Sequence, residues 1–169
     1  VQEVDIPLHH SKQTEVVYHW LNALCGPNLK KIVLHDESPI SVGTESFGHC
    51  PNLTELNLTG SKVTGSVSAF VSCTNLVRLW LVQTQVRGNI QCFENCPNLE
   101  GLVMEESHID GDIRVFSSCR HLQILSVEMT LVSGDIRFLS DCRDLTYLSL
   151  RGTQVSGDYG ALAPCAMLA

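Results

Sequence analysis

The residues best able to do chemistry in this chain are its cysteines, and their spacing is regular. Seven of the eight stand at or beside one recurring position: Cys25, Cys50, Cys73, Cys96, Cys119, Cys142 and Cys165. From Cys50 onward the interval is 23 residues. Thiols in such an array can pair as disulfides, hold a metal, or serve as small apolar side chains. Rungs roughly 5 Å apart lie within disulfide reach, but an array in which each thiol has two equivalent neighbours specifies no pairing. Free cysteine is among the most buried residue types. The spacing therefore predicts a ladder of buried thiols and, with it, a reducing intracellular compartment, cytoplasmic or organellar. Cys92 stands apart, four residues before Cys96, and that pair lacks the further ligands zinc needs.

The other candidates for chemistry are weaker. His9 and His10 adjoin, and His19 follows, but no third ligand sits at a useful spacing, so no metal is expected. Asp112, Asp135 and Asp158 recur in line with Asn89. Calcium would need six or more oxygens, and capping of short helical turns explains these side chains more economically. Sequons begin at Asn52 and Asn57, where repeat composition alone accounts for them. No G-x-S-x-G, H-E-x-x-H or phosphate loop occurs. No catalytic residue and no cofactor are expected, and the chain reads as non-enzymatic.

Composition narrows the partners. With 18 Asp and Glu against 11 Lys and Arg, the chain has a formal net charge of −7, which argues against binding a phosphate backbone. No apolar run approaches the ~20 residues of a bilayer span. The opening residues, VQEVDIPLHHSKQTE, are too polar and mixed for a signal peptide.

The elements that must position these residues are repeats. The generic text is C-x-x-L-x-x-L-x-L-x-x-T-x-V-x-G-x-I-x-x-F, seen at residues 50–72, 73–95, 96–118, 119–141 and 142–164. An irregular unit precedes them, with Leu29, Ile32 and Leu34 keeping the leucine spacing. A fixed period in the twenties is the signature of a stacked-coil solenoid. L-x-L predicts a short strand with alternating faces, so Leu56 and Leu58, or Leu125 and Val127, point inward. Ser61, Thr84, Ser107, Thr130 and Thr153 fill a slot where a hydroxyl bonds the turning backbone. The glycine slot predicts a special backbone angle or a close approach. Phe70, Phe93, Phe116, Leu139 and Leu162 anchor the convex segment. Residues 1–25 are expected to be an extension and a capping helix, with its apolar face at Val17, Trp20, Leu21 and Leu24. Residues 26–169 form the repeat domain of about six units, expected to lack a C-terminal cap because Cys165 opens a further repeat.

The order L-x-x-L-x-L followed by T-x-V-x-G-x-I resembles the plant-type leucine-rich repeat, whose pattern continues N-x-L-x-G-x-I-P. Thr or Ser replaces the Asn, and Arg114 and Arg137 stand where the Pro would be. Thr153–Asp158, TQVSGD, is similar to repeats of algal and other protist proteins. The resemblance implies an α/β solenoid: a right-handed superhelix with a concave parallel sheet and short helical or irregular convex segments. It also allows a secreted or cell-surface recognition module, of the receptor-ectodomain type, for protein or glycan. A regulatory segment of a larger enzyme is the third class.

The outward positions around L-x-L are the functional candidates. Trp80, Val82, Val103, Ile124, Met129 and Tyr147 are apolar where a solvent-facing strand is polar by default. Glu105, Glu106 and Glu128 border them, and Arg78 and Arg151 flank the group. Apolar surface rimmed by charge predicts a protein- or peptide-binding face, with Trp80 and Tyr147 as anchors. The partner is expected to bring apolar side chains to Trp80 and Val103 and a basic group toward the three glutamates. Nucleic acid and membrane insertion are not expected.

Overall fold

Each L-x-L run forms a short strand, as its alternation requires, and the strands stack in parallel. The computed structural model describes residues 2–6, 28–34 and 42–168. In chain order the strands are β1 (Gln2–Ile6), β2 (Leu29–Leu34), β3 (Glu55–Asn57), β4 (Thr64–Ser66), β5 (Arg78–Trp80) and β6 (Gln85–Asn89). They continue as β7 (Gly101–Val103), β8 (His108–Asp112), β9 (Ile124–Ser126), β10 (Leu131–Asp135), β11 (Tyr147–Ser149) and β12 (Gln154–Ser156). One seven-stranded sheet runs β1-β2-β3-β5-β7-β9-β11 and a five-stranded sheet runs β12-β10-β8-β6-β4. The register is constant from coil to coil: Leu56, Leu79, Leu102, Leu125 and Leu148 are successive partners.

Two features depart from the sequence reading. Residues 2–6, expected only as part of an N-terminal extension, form the edge strand β1 beside β2. The second sheet was not foreseen at all; it is built from the T-x-V-x-G stretch, in which Val86, Ile109 and Val132 face the core. The helix expected within residues 14–25 lies outside the described residues.

Between the sheets lies one continuous core. In the coil from 119 to 141, Cys119, Leu122, Leu125, Val127, Val132, Ile136 and Leu139 are each no more than 1% exposed. A single coil cannot cover these side chains, so each depends on both neighbours. The convex side closes with 3-10 turns at Thr44–Phe47, Val67–Ser72, Ile90–Phe93, Ile113–Ser118, Ile136–Leu139 and Tyr159–Leu162. The expected caps are in place: Asn89, Asp112, Asp135 and Asp158 each accept a hydrogen bond from the backbone N–H two residues on, at 2.8–2.9 Å. Ser66 does the same for Ser68 at 3.2 Å. In the Thr/Ser slot, Thr84 Oγ1 donates to the Leu81 carbonyl at 2.8 Å and Thr130 Oγ1 to that of Val127 at 2.6 Å.

The cap explains the glycine that follows one coil later. Gly111 has φ +119°, and a Cβ there would stand 2.7 Å from Ile90 Cγ1 and 2.8 Å from Asn89 Oδ1. Strain and overlap act together, so Gly111→Ala is expected to lower stability by about 2–4 kcal/mol. Urea denaturation measures this, and a loss below about 0.5 kcal/mol, the usual range for surface changes, would refute the packing assigned to this slot.

The thiols form the expected buried ladder, and they also donate hydrogen bonds. Cys96 Sγ donates to the Cys73 carbonyl and Cys119 Sγ to the Cys96 carbonyl, both at 3.5 Å. Cys73, Cys142 and Cys165 donate to carbonyls of the preceding coils at 3.5–3.6 Å. These five sulfurs are thus engaged with backbone, and none of the described cysteines is in a disulfide.

Candidate functional site

From β2 to β11 the outward residues of the seven-stranded sheet line up in columns because the register does not slip. One column reads Lys31, Glu55, Arg78, Gly101, Ile124, Tyr147. The next reads Val33, Asn57, Trp80, Val103, Ser126, Ser149. Seven strands at ~4.8 Å spacing make a face about 29 Å across. The eleven residues singled out from the sequence all lie on this face or its rim, and none is buried. Trp80, Val82, Val103 and Ile124 are partly covered, whereas Tyr147 is 51% and Met129 55% exposed.

Gly101 is the low point of the face. It is buried although it has no side chain, because a Cβ there would meet Arg78 Cγ at 3.7 Å and the Trp80 ring at 3.8 Å. The indole therefore lies against the neighbouring strand and is partly covered.

The charges are not equivalent, which the sequence alone did not reveal. Arg78 bridges Glu55 at 3.3 Å and Glu100 at 2.7 Å. Lys31 pairs with Glu55 at 3.4 Å. Arg78 thus belongs to an ion-pair network within the sheet. Glu105 accepts a hydrogen bond from Ser126 Oγ at 2.7 Å. Glu128 accepts one from Ser149 Oγ at 3.0 Å and pairs with Arg151 at 3.3 Å. Glu106 is exposed, and among the described residues its carboxylate has no hydrogen bond or ion pair.

The rim carries a feature no motif announces. Where strand gives way to turn, five consecutive coils have a positive φ at one slot: Gly60 (69°), Gln83 (55°), Glu106 (54°), Met129 (56°) and Gly152 (71°). Glycine adopts this conformation freely, but for other residues it costs about 1–3 kcal/mol. Only the glycines at the two ends of the slot hinted at it in sequence. Leu131 was also missed. It is 56% exposed on the second sheet, and its slot holds polar Lys62, Gln85, His108 and Gln154 in the other coils.

The rest of the surface offers less. On the convex side the Arg114 and Arg137 guanidinium groups lie 5.2 and 5.5 Å from the Phe138 ring centre, but each is also paired with a capping aspartate. Among the described residues no three His, Cys, Asp or Glu side chains are grouped to hold a metal ion. None of the described helices is long and apolar enough to cross a membrane. Asn57 Oδ1 accepts the Thr59 N–H at 3.0 Å, so the second sequon is part of the concave turn.

The family described as the BspA type leucine rich repeat region matches in six copies across residues 21–146. No curated protein matches the sequence. Three solved structures show the same fold. A plant peptide hormone receptor, RGFR1, in complex with RGF2, has 24% identity and TM-score 0.68, covering 83% of this chain and 27% of that one. The Arabidopsis receptor kinase HAESA, in complex with the peptide hormone IDA and the co-receptor SERK1, has 22% identity and TM-score 0.72, covering 83% and 24%. The leucine-rich-repeat ectodomain of the receptor kinase SOBIR1 from Arabidopsis thaliana has 18% identity and TM-score 0.68, covering 89% and 99%. The chain therefore spans about a quarter of the two hormone receptors and nearly the whole of the third. The finer likeness to plant-type repeats rests on the motif alone.

These matches correct the intracellular expectation. The same coil architecture is that of a receptor-kinase ectodomain, so unpaired thiols are no guide to compartment here. The physical reason is the ladder itself: from Cys73 to Cys165 its sulfurs are buried and directed at carbonyls of the preceding coils. Its presence follows from packing and does not report on the redox setting.

Proposed function

Because this chain belongs to the BspA-type leucine-rich-repeat family, we propose that it is a non-catalytic recognition module that grips a protein or peptide on its concave sheet. The observation that carries this is the set of aromatic and aliphatic side chains left on the solvent face of a sheet whose core is already full. Trp80, Val82, Val103, Ile124 and Tyr147 stay outside the core, four of them partly covered and Tyr147 exposed, and apolar surface gathered in this way marks interaction sites. A rigid parallel sheet also loses little freedom on binding, which favours affinity.

The module works outside the cell, at the surface or secreted. Supporting this are the receptor ectodomains that share its fold, two of them solved with a peptide hormone or peptide partner. Partners are protein or peptide. Apolar side chains settle over Trp80, Gly101 and Val103, and a basic group reaches the glutamates on the adjoining coils.

Hydrogen exchange tests the reading. With partner bound, amides of β5, β7 and β9 are expected to slow, while those of the 3-10 turns at Ile113–Ser118 and Ile136–Leu139 keep their rates. Slowing confined to the convex turns would refute it.

A further inference from the structure

We infer that the rim column Gln83–Glu106–Met129 is the specificity-determining ridge of the binding face, and that it takes an extended partner segment carrying a basic and an apolar side chain on one face, two residues apart. The inference rests on the concave-face reading and narrows it to one edge and one chemistry. All three residues hold a left-handed backbone, φ 54–56°, in a slot where Gly60 and Gly152 serve the flanking coils. The coil geometry therefore needs no side chain there, and glycine would relieve it. All three side chains are exposed, so burial in the core does not offset the strain. Glutamine, glutamate and methionine are not the Asn, Asp or His that tolerate this region best. Side chains kept in a strained backbone without internal compensation point to contacts made with something else.

The surroundings say what that something is. Glu106 has no intramolecular partner among the described residues, the chain carries a net charge of −7, and Glu105 and Glu128 lie on the same face. Beside them Met129 and Leu131 are 55% and 56% exposed. The Met129 thioether leans over Gly152, whose Cβ, if present, would stand 2.5 Å from Met129 Sδ. Three coils span about 10 Å, the length of about three residues of extended chain. A short stretch with a Lys or Arg against Glu106 and, two residues on and so on the same face, a leucine against Met129 fits this ridge.

The probe is a short synthetic peptide in which arginine and leucine stand two residues apart with threonine between them, compared with the counterpart in which glutamate replaces arginine. The arginine peptide is expected to bind and to move the Met129 methyl resonance in methyl-labelled protein, leaving that of Met167 in place. The variant carrying Gln83→Gly, Glu106→Gly and Met129→Gly is expected to keep or raise its thermal midpoint while weakening binding at least about tenfold. Equal binding of the glutamate peptide, or a lowered thermal midpoint, would overturn the inference. Undiminished binding by the triple-glycine variant, with Trp80→Ala still weakening it, would overturn the ridge and leave the concave face standing. Binding unaffected by either change would overturn both.

Discussion

Between pH 9 and pH 12 the chain is expected to lose its stability steeply. Burial, followed by the charges of neighbouring cysteines, pushes the Cys73 and Cys142 thiols from 9.0 up to about 12. Burial, with Cys96 beside it, raises Cys92 to about 12, and burial with Cys119 raises Cys96 to about 11. The fold holds the protonated form, whereas in the unfolded chain the same thiols ionise near 9. Their contribution is therefore fully present below pH 9 and is withdrawn as pH rises toward the folded-state values. Each such thiol removes about 1.4 kcal/mol per pH unit. Together they remove a large share of the stability of a typical domain.

Urea denaturation at pH 8, 9, 10 and 11 tests this, and Cys96→Ala with Cys142→Ala should flatten the curve. Thiolate absorbance in the ultraviolet gives a second readout that does not depend on the variant folding well. It should rise only as the chain unfolds. Stability constant up to pH 11, or thiolate appearing in the folded chain near pH 9, would refute the buried ladder.

The second large effect concerns binding. Trp80→Ala is expected to weaken a partner by about 100-fold, the loss of about 2.7 kcal/mol typical of a central aromatic anchor. The fold should survive, since the indole lies over Gly101 and is only partly covered. Glu105→Lys is expected to cost a similar factor for a different reason. It replaces the acceptor of the Ser126 hydroxyl with a cation on the face that meets the partner's basic group. Like charge across an interface lowers both affinity and association rate, and added salt should restore part of the rate. Arg78→Ala is the informative control. Its guanidinium is held by Glu55 and Glu100 within the sheet, so affinity should change little. If Arg78→Ala weakens binding as much as Trp80→Ala, the division between internal network and binding surface is wrong.

Much of this architecture was legible because each repeat slot states one physical requirement five times over. The hydroxyl slot, the capping aspartates, the thiol ladder and the outward columns all follow from periodicity and strand alternation. The second sheet was not legible. Its strands pass through glycine, as at Gln85–Asn89 and Leu131–Asp135, and glycine is a poor strand former. They form because stacked coils bring equivalent backbones into register, which is a tertiary effect. Strand β1 was missed for a related reason: its partner begins at Leu29 and no motif links the two. The inequality among Glu105, Glu106 and Glu128 depends on neighbours such as Ser126, Ser149 and Arg151, one coil away. The left-handed backbone at Gln83, Glu106 and Met129 was hidden because those residue types do not favour it. The compartment was misjudged because a buried thiol was taken to report on its redox surroundings, whereas it reports on packing.

The most direct test is where a bound partner touches. A benzophenone amino acid placed at Val103, on the concave sheet, and in a second protein at Ser117, on the convex side, is photoactivated with the partner bound. The account predicts a covalent adduct from position 103 and none from position 117. An adduct from 117 with position 103 silent would contradict it.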